Sequence, residues 1–207
     1  MTIREILKKA SVIPVLELDR LEDAAPLARA LAAGGMQVIE LTLRTEAALA
    51  AVAAMKKAAP TLIIGMGSVR KPDDIARSID AGAEFLVSPG ASTSLLDSLA
   101  RAGAPALPGV ATASEAMTAS DAGFEAMKFF PAEPAGGVPY LKAISGPLPS
   151  ILFCPTGGIS AEKAPDYLAL SNVACVGGSW IATRAKIAAG DWIAIEANAR
   201  RAQLLRG

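Results

Sequence analysis

Short apolar runs rich in β-branched residues recur along the chain, their starts spaced roughly 20 to 25 residues apart. They occupy 13–18, 37–42, 61–65, 84–87, 105–108, 126–130, 151–154 and 173–176, and each reads as a strand. Between them lie Ala- and Leu-rich segments with apolar residues at helical spacing. In 21–33, Leu21, Ala24, Ala25, Ala28 and Leu31 fall on one face, and Gly34-Gly35 supplies a stop. Ser92 or Ser94 before Leu95, Ser114 before Glu115, and Ser160 before Glu162 mark helix starts. Eight strands alternating with helices predict parallel pairing, in a doubly wound sheet or a closed (β/α)8 barrel. The count of eight selects the barrel. A short amphipathic helix over 3–10 then covers its bottom. The length is near the low end for this fold, which the short loops accommodate. No linker or change of composition interrupts the pattern, so 1–207 reads as a single domain.

Alternation along the strands sorts polar residues by face. In the second strand Val38, Glu40 and Thr42 share one face, while Ile39 and Leu41 share the other. Arg44 and Thr45 follow it. In the sixth strand Ala126, Lys128 and Phe130 share a face, opposite Met127 and Phe129, and Pro131 ends the strand. With both polar faces inward, Glu40 and Lys128 converge near the upper mouth, where barrels carry their chemistry. Lys128 stands apart from the other lysines, which sit in charged, helical or turn contexts. Its neighbours Met127, Phe129, Phe130 and Pro131 are apolar. Desolvation disfavours an ammonium, and a neutral amine is a nucleophile that can form a Schiff base with a ketone. The structural alternatives are a lysine that snorkels out of a core strand and a lysine paired with Glu40 for stability alone. Glu17, near the end of the first strand, is a rival for proton transfer or else a solvent-facing residue before Leu18-Asp19-Arg20.

Composition narrows the chemistry further. The chain of 207 residues has no histidine, which removes Ser-His-Asp and Cys-His nucleophile schemes, histidine-ligated zinc and histidine acid/base catalysis. Hydrophobic residues make up 52% and charged residues 19%, enough apolar material for a sizeable core. Lys plus Arg equals Asp plus Glu at 20 each, so no bulk positive charge points to nucleic acid. Cys154 and Cys175 sit in apolar runs without metal or redox spacing and read as small buried hydrophobes. The N-terminal segment, with Arg4, Glu5, Lys8 and Lys9, lacks a signal-peptide core, and no apolar stretch reaches the ~18 residues of a membrane span. The reading is a cytoplasmic protein without metal or cofactor.

Glycine doublets form a second signal. Thr156-Gly157-Gly158-Ile159-Ser160 follows the seventh strand and Gly177-Gly178-Ser179-Trp180 the eighth. Paired glycines after the last two strands, each leading toward a helix, suit an anion: their backbone N–H groups approach closely and a helix N-terminus favours negative charge. Plain tight turns are the alternative, and Gly136-Gly137 after the sixth strand is a lesser candidate. Gly65-Met66-Gly67-Ser68 and Ser88-Pro89-Gly90, after the third and fourth strands, read as tight turns or pocket walls. Trp180 and Trp192 read as packing residues.

The motifs Glu40-Leu41-Thr42-Leu43-Arg44-Thr45, Lys128-Phe129-Phe130-Pro131-Ala132-Glu133, Phe153-Cys154-Pro155-Thr156-Gly157-Gly158-Ile159 and Gly177-Gly178-Ser179-Trp180 together resemble the 2-keto-3-deoxy-6-phosphogluconate (KDPG) aldolases. The resemblance runs from about Ile13 to the C-terminal helix. It implies a homotrimeric class I aldolase on a (β/α)8 barrel, cleaving KDPG to pyruvate and glyceraldehyde 3-phosphate in the Entner–Doudoroff pathway. Lys128 matches the Schiff-base lysine and Glu40 the proton-transferring glutamate. Arg44 and Thr156 match residues that hold the keto acid. Gly157, Gly158, Gly177, Gly178 and Ser179 match the phosphate loops, and Pro89 and Phe130 the pocket walls. Ser68 keeps a hydroxyl where the family's third-strand loop carries threonine, and Met66 stands where that loop carries alanine. Some relatives have arginine at the place of Glu17. Alternative readings are the same chemistry on the galactonate epimer or on 4-hydroxy-2-oxoglutarate, with Thr42 or Thr45 bearing on the choice. From other classes come a phosphosugar isomerase or epimerase and a non-catalytic phosphometabolite-binding barrel.

Overall fold

In the computed structural model, which describes residues 1–205, the apolar runs line up as parallel strands. These are β1 (Val12–Leu16), β2 (Val38–Thr42), β3 (Ile63–Gly67), β4 (Phe85–Val87), β5 (Ala106–Leu107), β6 (Gly109–Val110), β7 (Ala126–Phe129), β8 (Leu152–Pro155) and β9 (Val176–Gly178). β1 to β5 pair in chain order, β9 joins the other side of β1, and β6, β7 and β8 pair in turn. β5 and β6 are two halves of one barrel strand, split by Pro108, which has no N–H to give to a ladder. Its carbonyl still accepts the N–H of Lys128 at 2.9 Å. Isolated bridges between Phe153 and Val173 and between Thr156 and Gly177 tie β8 to the β9 segment. The nine segments are therefore the eight staves of a (β/α)8 barrel, the predicted fold.

Two apolar layers follow from the period of two along each stave. Ile13, Val38, Ile63, Phe85, Leu107 and Ala126 face inward and fill the barrel. Cys154 and Cys175 join them, their sulfurs 3.5 Å apart, as the small apolar fillers the sequence suggested. The Phe85 ring lies over Gly65, where a Cβ would stand 2.2 Å from it. Ile39, Leu41, Ile64, Met127, Phe129 and Phe153 face outward and pack under the helices. α1 (Ile3–Leu7) is capped by Thr2 and Glu5 in a reciprocal box. It turns Ile6 and Leu7 into the inner layer and covers the bottom as expected, though it ends before residue 10.

Several boundaries differ from the sequence reading. The eighth strand is not 173–176 but Val176–Gly178, so Gly177 and Gly178 lie inside it rather than in a loop. They pair with Ile13 and Pro14 of β1 and so close the ring. The helix read over 21–33 opens as a 3-10 turn, Leu21–Asp23, before α2 (Ala24–Ala33). Ser92 caps α5 (Thr93–Ala100) through the Leu95 N–H. Thr112, not Ser114, caps α6 (Ala113–Asp121), because Thr112 alone stands three residues before Glu115 and completes a capping box. Ser160 caps no helix; α8 (Ala164–Leu168) starts after an intervening turn. Among the described residues no helix is long and apolar enough to cross a membrane.

Candidate active site

Lys128 and Glu40 project inward from opposite staves, β7 and β2, and meet inside the barrel. Lys128 Nζ lies 2.9 Å from Glu40 Oε1 and 3.2 Å from Oε2. The residues are only 6% and 4% exposed. A lone buried ammonium or carboxylate would be costly, and here each charge compensates the other. The sequence predicts a desolvated amine with an acid nearby; the structure places the two in direct contact. A proton shifted along the 2.9 Å bond turns the pair into a neutral amine and a carboxylic acid. Those are the forms needed to attack a carbonyl and to return a proton. The Phe130 ring centroid lies 5.4 Å from Nζ, within reach of a cation–π contact.

Glycines make room for this arrangement. A Cβ at Gly67 of β3 would stand 2.1 Å from Glu40 Oε1, so only glycine lets that carboxylate lie across the neighbouring strand. Gly109 is the register partner of Lys128, and a Cβ there would stand 2.3 Å from the Pro89 carbonyl carbon. Pro89 is thereby seated beside the lysine strand, half-buried as a wall residue would be.

One side of the mouth carries a chain of polar groups. Arg44 Nε donates to Ser68 Oγ at 3.2 Å, and its Nη1 lies 3.5 Å from Glu17 Oε2. Ser68 has φ of 61°, an uncommon conformation for a non-glycine residue and a mark of functional loops. Arg184, at the start of α9 (Arg184–Ala188), forms an ion pair with Glu17 Oε1 at 2.8 Å and grips Asp19 with two hydrogen bonds of 2.6 Å. These bonds hold the Asp19 carboxyl below its ordinary range. Glu17 thus faces the mouth with the arginines as its partners; it is neither the acid beside Lys128 nor a plainly solvated residue. Thr42 and Thr45 give their hydroxyl protons to the Leu16 and Leu18 carbonyls of the first strand and its extension, which fixes that strand end. Met66 faces the outer layer, fully buried, and leaves the pocket untouched.

The ends of β8 and β9 carry Thr156 and the glycines. Thr156 is buried, its hydroxyl turned to the Cys154 carbonyl at 3.4 Å. A Cβ on Gly177 would meet Thr156 Oγ1 at 2.2 Å, and one on Gly178 would meet the Trp180 ring at 2.3 Å. Gly157 and Gly158 turn with φ of 104° and 79°, conformations that glycine adopts without strain. Gly158 and Ser179 are exposed at the mouth. The loop after β7 is bonded to this turn: the Ala132 and Glu133 N–H groups donate to the Thr156 and Gly157 carbonyls. Glu133 also accepts from Lys163 and from the Tyr167 hydroxyl. Those two bonds hold its carboxyl below the ordinary range, while burial and the Glu133 bond push the Tyr167 phenol up.

The family profile described as "Aldolase: KDPG and KHG aldolase" matches residues 3–198. The chain belongs to the KDPG and KHG aldolase family. It is 46% identical to the 2-dehydro-3-deoxy-phosphogluconate aldolase of Dickeya dadantii over 198 residues, 96% of this chain and 93% of that one. It is also 46% identical to the KHG/KDPG aldolase of Escherichia coli K12, over 95% of this chain and 92% of that protein. The crystal structure of the Legionella pneumophila KDPG aldolase, with pyruvate captured as a covalent carbinolamine, superposes with a TM-score of 0.95 at 43% identity, covering 98% of both chains. The KDPG-aldolase resemblance, read from four motifs, thus holds across nearly the whole fold. Three contributors escaped the sequence reading in their actual roles: Gly67 as the seat of Glu40, Glu133 as a clamp on the glycine turn, and Arg184 as the partner of Glu17. Glu133 had a local signal, as the charge that ends the lysine motif. Gly67 shows in the sequence as a turn or pocket-wall glycine, but its contact with Glu40, like that of Arg184 with Glu17, lies across strands and has no local signal.

Proposed function

We propose that Lys128 is the Schiff-base residue of a class I aldolase that cleaves 2-dehydro-3-deoxy-6-phosphogluconate to pyruvate and glyceraldehyde 3-phosphate. The observation that carries the reading is the buried Lys128–Glu40 pair, with Nζ 2.9 Å from Oε1 at the inner end of the mouth. Transfer of the ammonium proton to Glu40 frees the amine to attack the C2 carbonyl. The resulting carbinolamine loses water, and Glu40 supplies the proton that water needs. The iminium then withdraws electrons as the C3–C4 bond breaks, while Glu40 takes the proton of the C4 hydroxyl. The enamine is protonated at C3 and hydrolysed, which releases pyruvate and restores the amine.

The rest of the mouth orients the substrate. Arg44, supported by Ser68, suits the carboxylate of the keto acid through charge-assisted bonds. Thr156, Pro89 and Phe130 suit the pocket walls around Lys128, Phe130 with its ring centroid 5.4 Å from Nζ. Gly157, Gly158 and Ser179, with Gly177 and Gly178 behind them, suit the phosphate. Binding energy gathered at that remote end holds the reacting carbon against the amine. The family resemblance further supports one barrel domain over 1–207, a cytoplasmic location and a homotrimer, which a light-scattering mass of three chains would check.

Replacing Lys128 with Ala tests the assignment. Pyruvate release from the phosphorylated substrate is expected to fall by at least about 1,000-fold with the circular dichroism spectrum unchanged. Near-parental rates in Lys128→Ala would remove the amine from the mechanism.

A further inference from the structure

The inward face of β1 ends in a charge. Ile13 belongs to the inner core, and Val15 and Glu17 follow at strand spacing; Val15 stands in register with Glu40. Glu17 therefore sits one stave from Glu40 and one level nearer the mouth. It is held firmly there. Its neighbours Leu16 and Leu18 are buried in the outer layer, and their carbonyls accept the Thr42 and Thr45 hydroxyls. Arg184 fixes Oε1, and among the described residues Oε2 has the long 3.5 Å contact to Arg44. The Glu17 side chain is 26% exposed, into a cleft of about 220 Å³ whose walls include Thr42, Arg44, Ser179 and Arg184. That cleft lies between the cation suited to the keto acid and the serine suited to the phosphate. A substrate spanning the two carries its middle carbons past Glu17.

We propose that Glu17 is a specificity-determining residue: Oε2 accepts a hydrogen bond from a hydroxyl on the substrate tail and disfavours a carboxylate there. The inference rests on the aldolase reading above. Counting from the keto acid's own carboxylate, the phosphorylated substrate has a hydroxyl on C5, a neutral donor. 4-Hydroxy-2-oxoglutarate has its second carboxylate at C5, a like charge with no proton to give. A carboxylate built into the wall thus favours the first by attraction and rejects the second by repulsion. The charged groups around the cleft are Arg44 and Arg184 against Glu17 and Asp19, so their formal charges cancel. Neutralising Glu17 removes the repulsion against a carboxylate at C5 and the acceptor for a hydroxyl there.

The test is kcat/KM for both substrates with the parent, Glu17→Gln and Glu17→Asp. In Glu17→Gln the preference for the phosphorylated substrate over 4-hydroxy-2-oxoglutarate should drop about tenfold, through loss on one side and gain on the other. Glu17→Asp keeps the charge and should stay within about threefold of the parental ratio. Both substrates share the keto-acid end, so a disturbance of Arg44 alone cancels in the ratio. An unchanged ratio in Glu17→Gln, or an equal shift in Glu17→Asp, overturns the proposal. Trapping of pyruvate by borohydride on each variant reports separately on the aldolase reading. Its failure in the parent would defeat that reading, whereas trapping with an unchanged ratio defeats only the role of Glu17.

Discussion

The position of the Glu40 carboxylate depends on a missing methyl group next door. A Cβ on Gly67 would overlap Oε1 at 2.1 Å and the carboxyl carbon at 2.7 Å. Gly67 has ordinary backbone angles, so alanine fits the strand and the strain falls on Glu40. Gly67→Ala is expected to fold normally and to lower kcat about 100-fold, the scale of loss when a catalytic group moves by roughly an ångström. Steady-state kinetics beside a circular dichroism spectrum measures both. Strand alternation groups Glu40 and Lys128 each with one face of its strand, and the structure turns both faces inward and joins the two side chains. The sequence could not tell why Gly67 is glycine. Strand period reveals which way a side chain points, whereas its seat belongs to the neighbouring strand. The same limit hid Arg184, whose partners Glu17 and Asp19 lie far back in the chain.

At the scale of elements, the two loops that follow β7 and β8 form one unit. Backbone bonds from Ala132 and Glu133 meet the Thr156–Gly157 turn, and the Glu133 side chain binds Lys163 and Tyr167 beyond it. The Glu133 carboxyl is held below its ordinary value of 4.5 by those bonds. Its contribution to stability is complete above about pH 4.5 and is lost as pH falls through the lower folded-state value. Glu133→Gln should accordingly be less stable than the parent at pH 6. It should also lose less stability between pH 5 and pH 3, since it has no carboxylate to protonate; urea unfolding across that range reads the difference. Element boundaries were legible where apolar runs coincide with pairing, as in β2 and β7. They failed at β9, because its pairing residues include Gly177 and Gly178, which resemble a turn by composition. Tertiary closure against β1 decides that strand.

Over the whole molecule, stability and chemistry occupy opposite ends of the barrel. α1 plugs the bottom with Ile6 and Leu7, both buried among inward residues of the staves. Leu7→Ala removes buried methyl groups far from the mouth and should destabilise by about 2–5 kcal/mol, seen as a lower denaturant midpoint with kcat/KM preserved. The eightfold strand–helix rhythm made this architecture readable, while the closure through isolated bridges and the split fifth stave emerge only in three dimensions. At the upper end everything converges on the Lys128 amine. The most direct measurement is borohydride reduction of the protein in the presence of pyruvate, followed by peptide mapping. The account predicts one pyruvate adduct, on the peptide that contains Lys128. No adduct, or an adduct on another lysine, would contradict it.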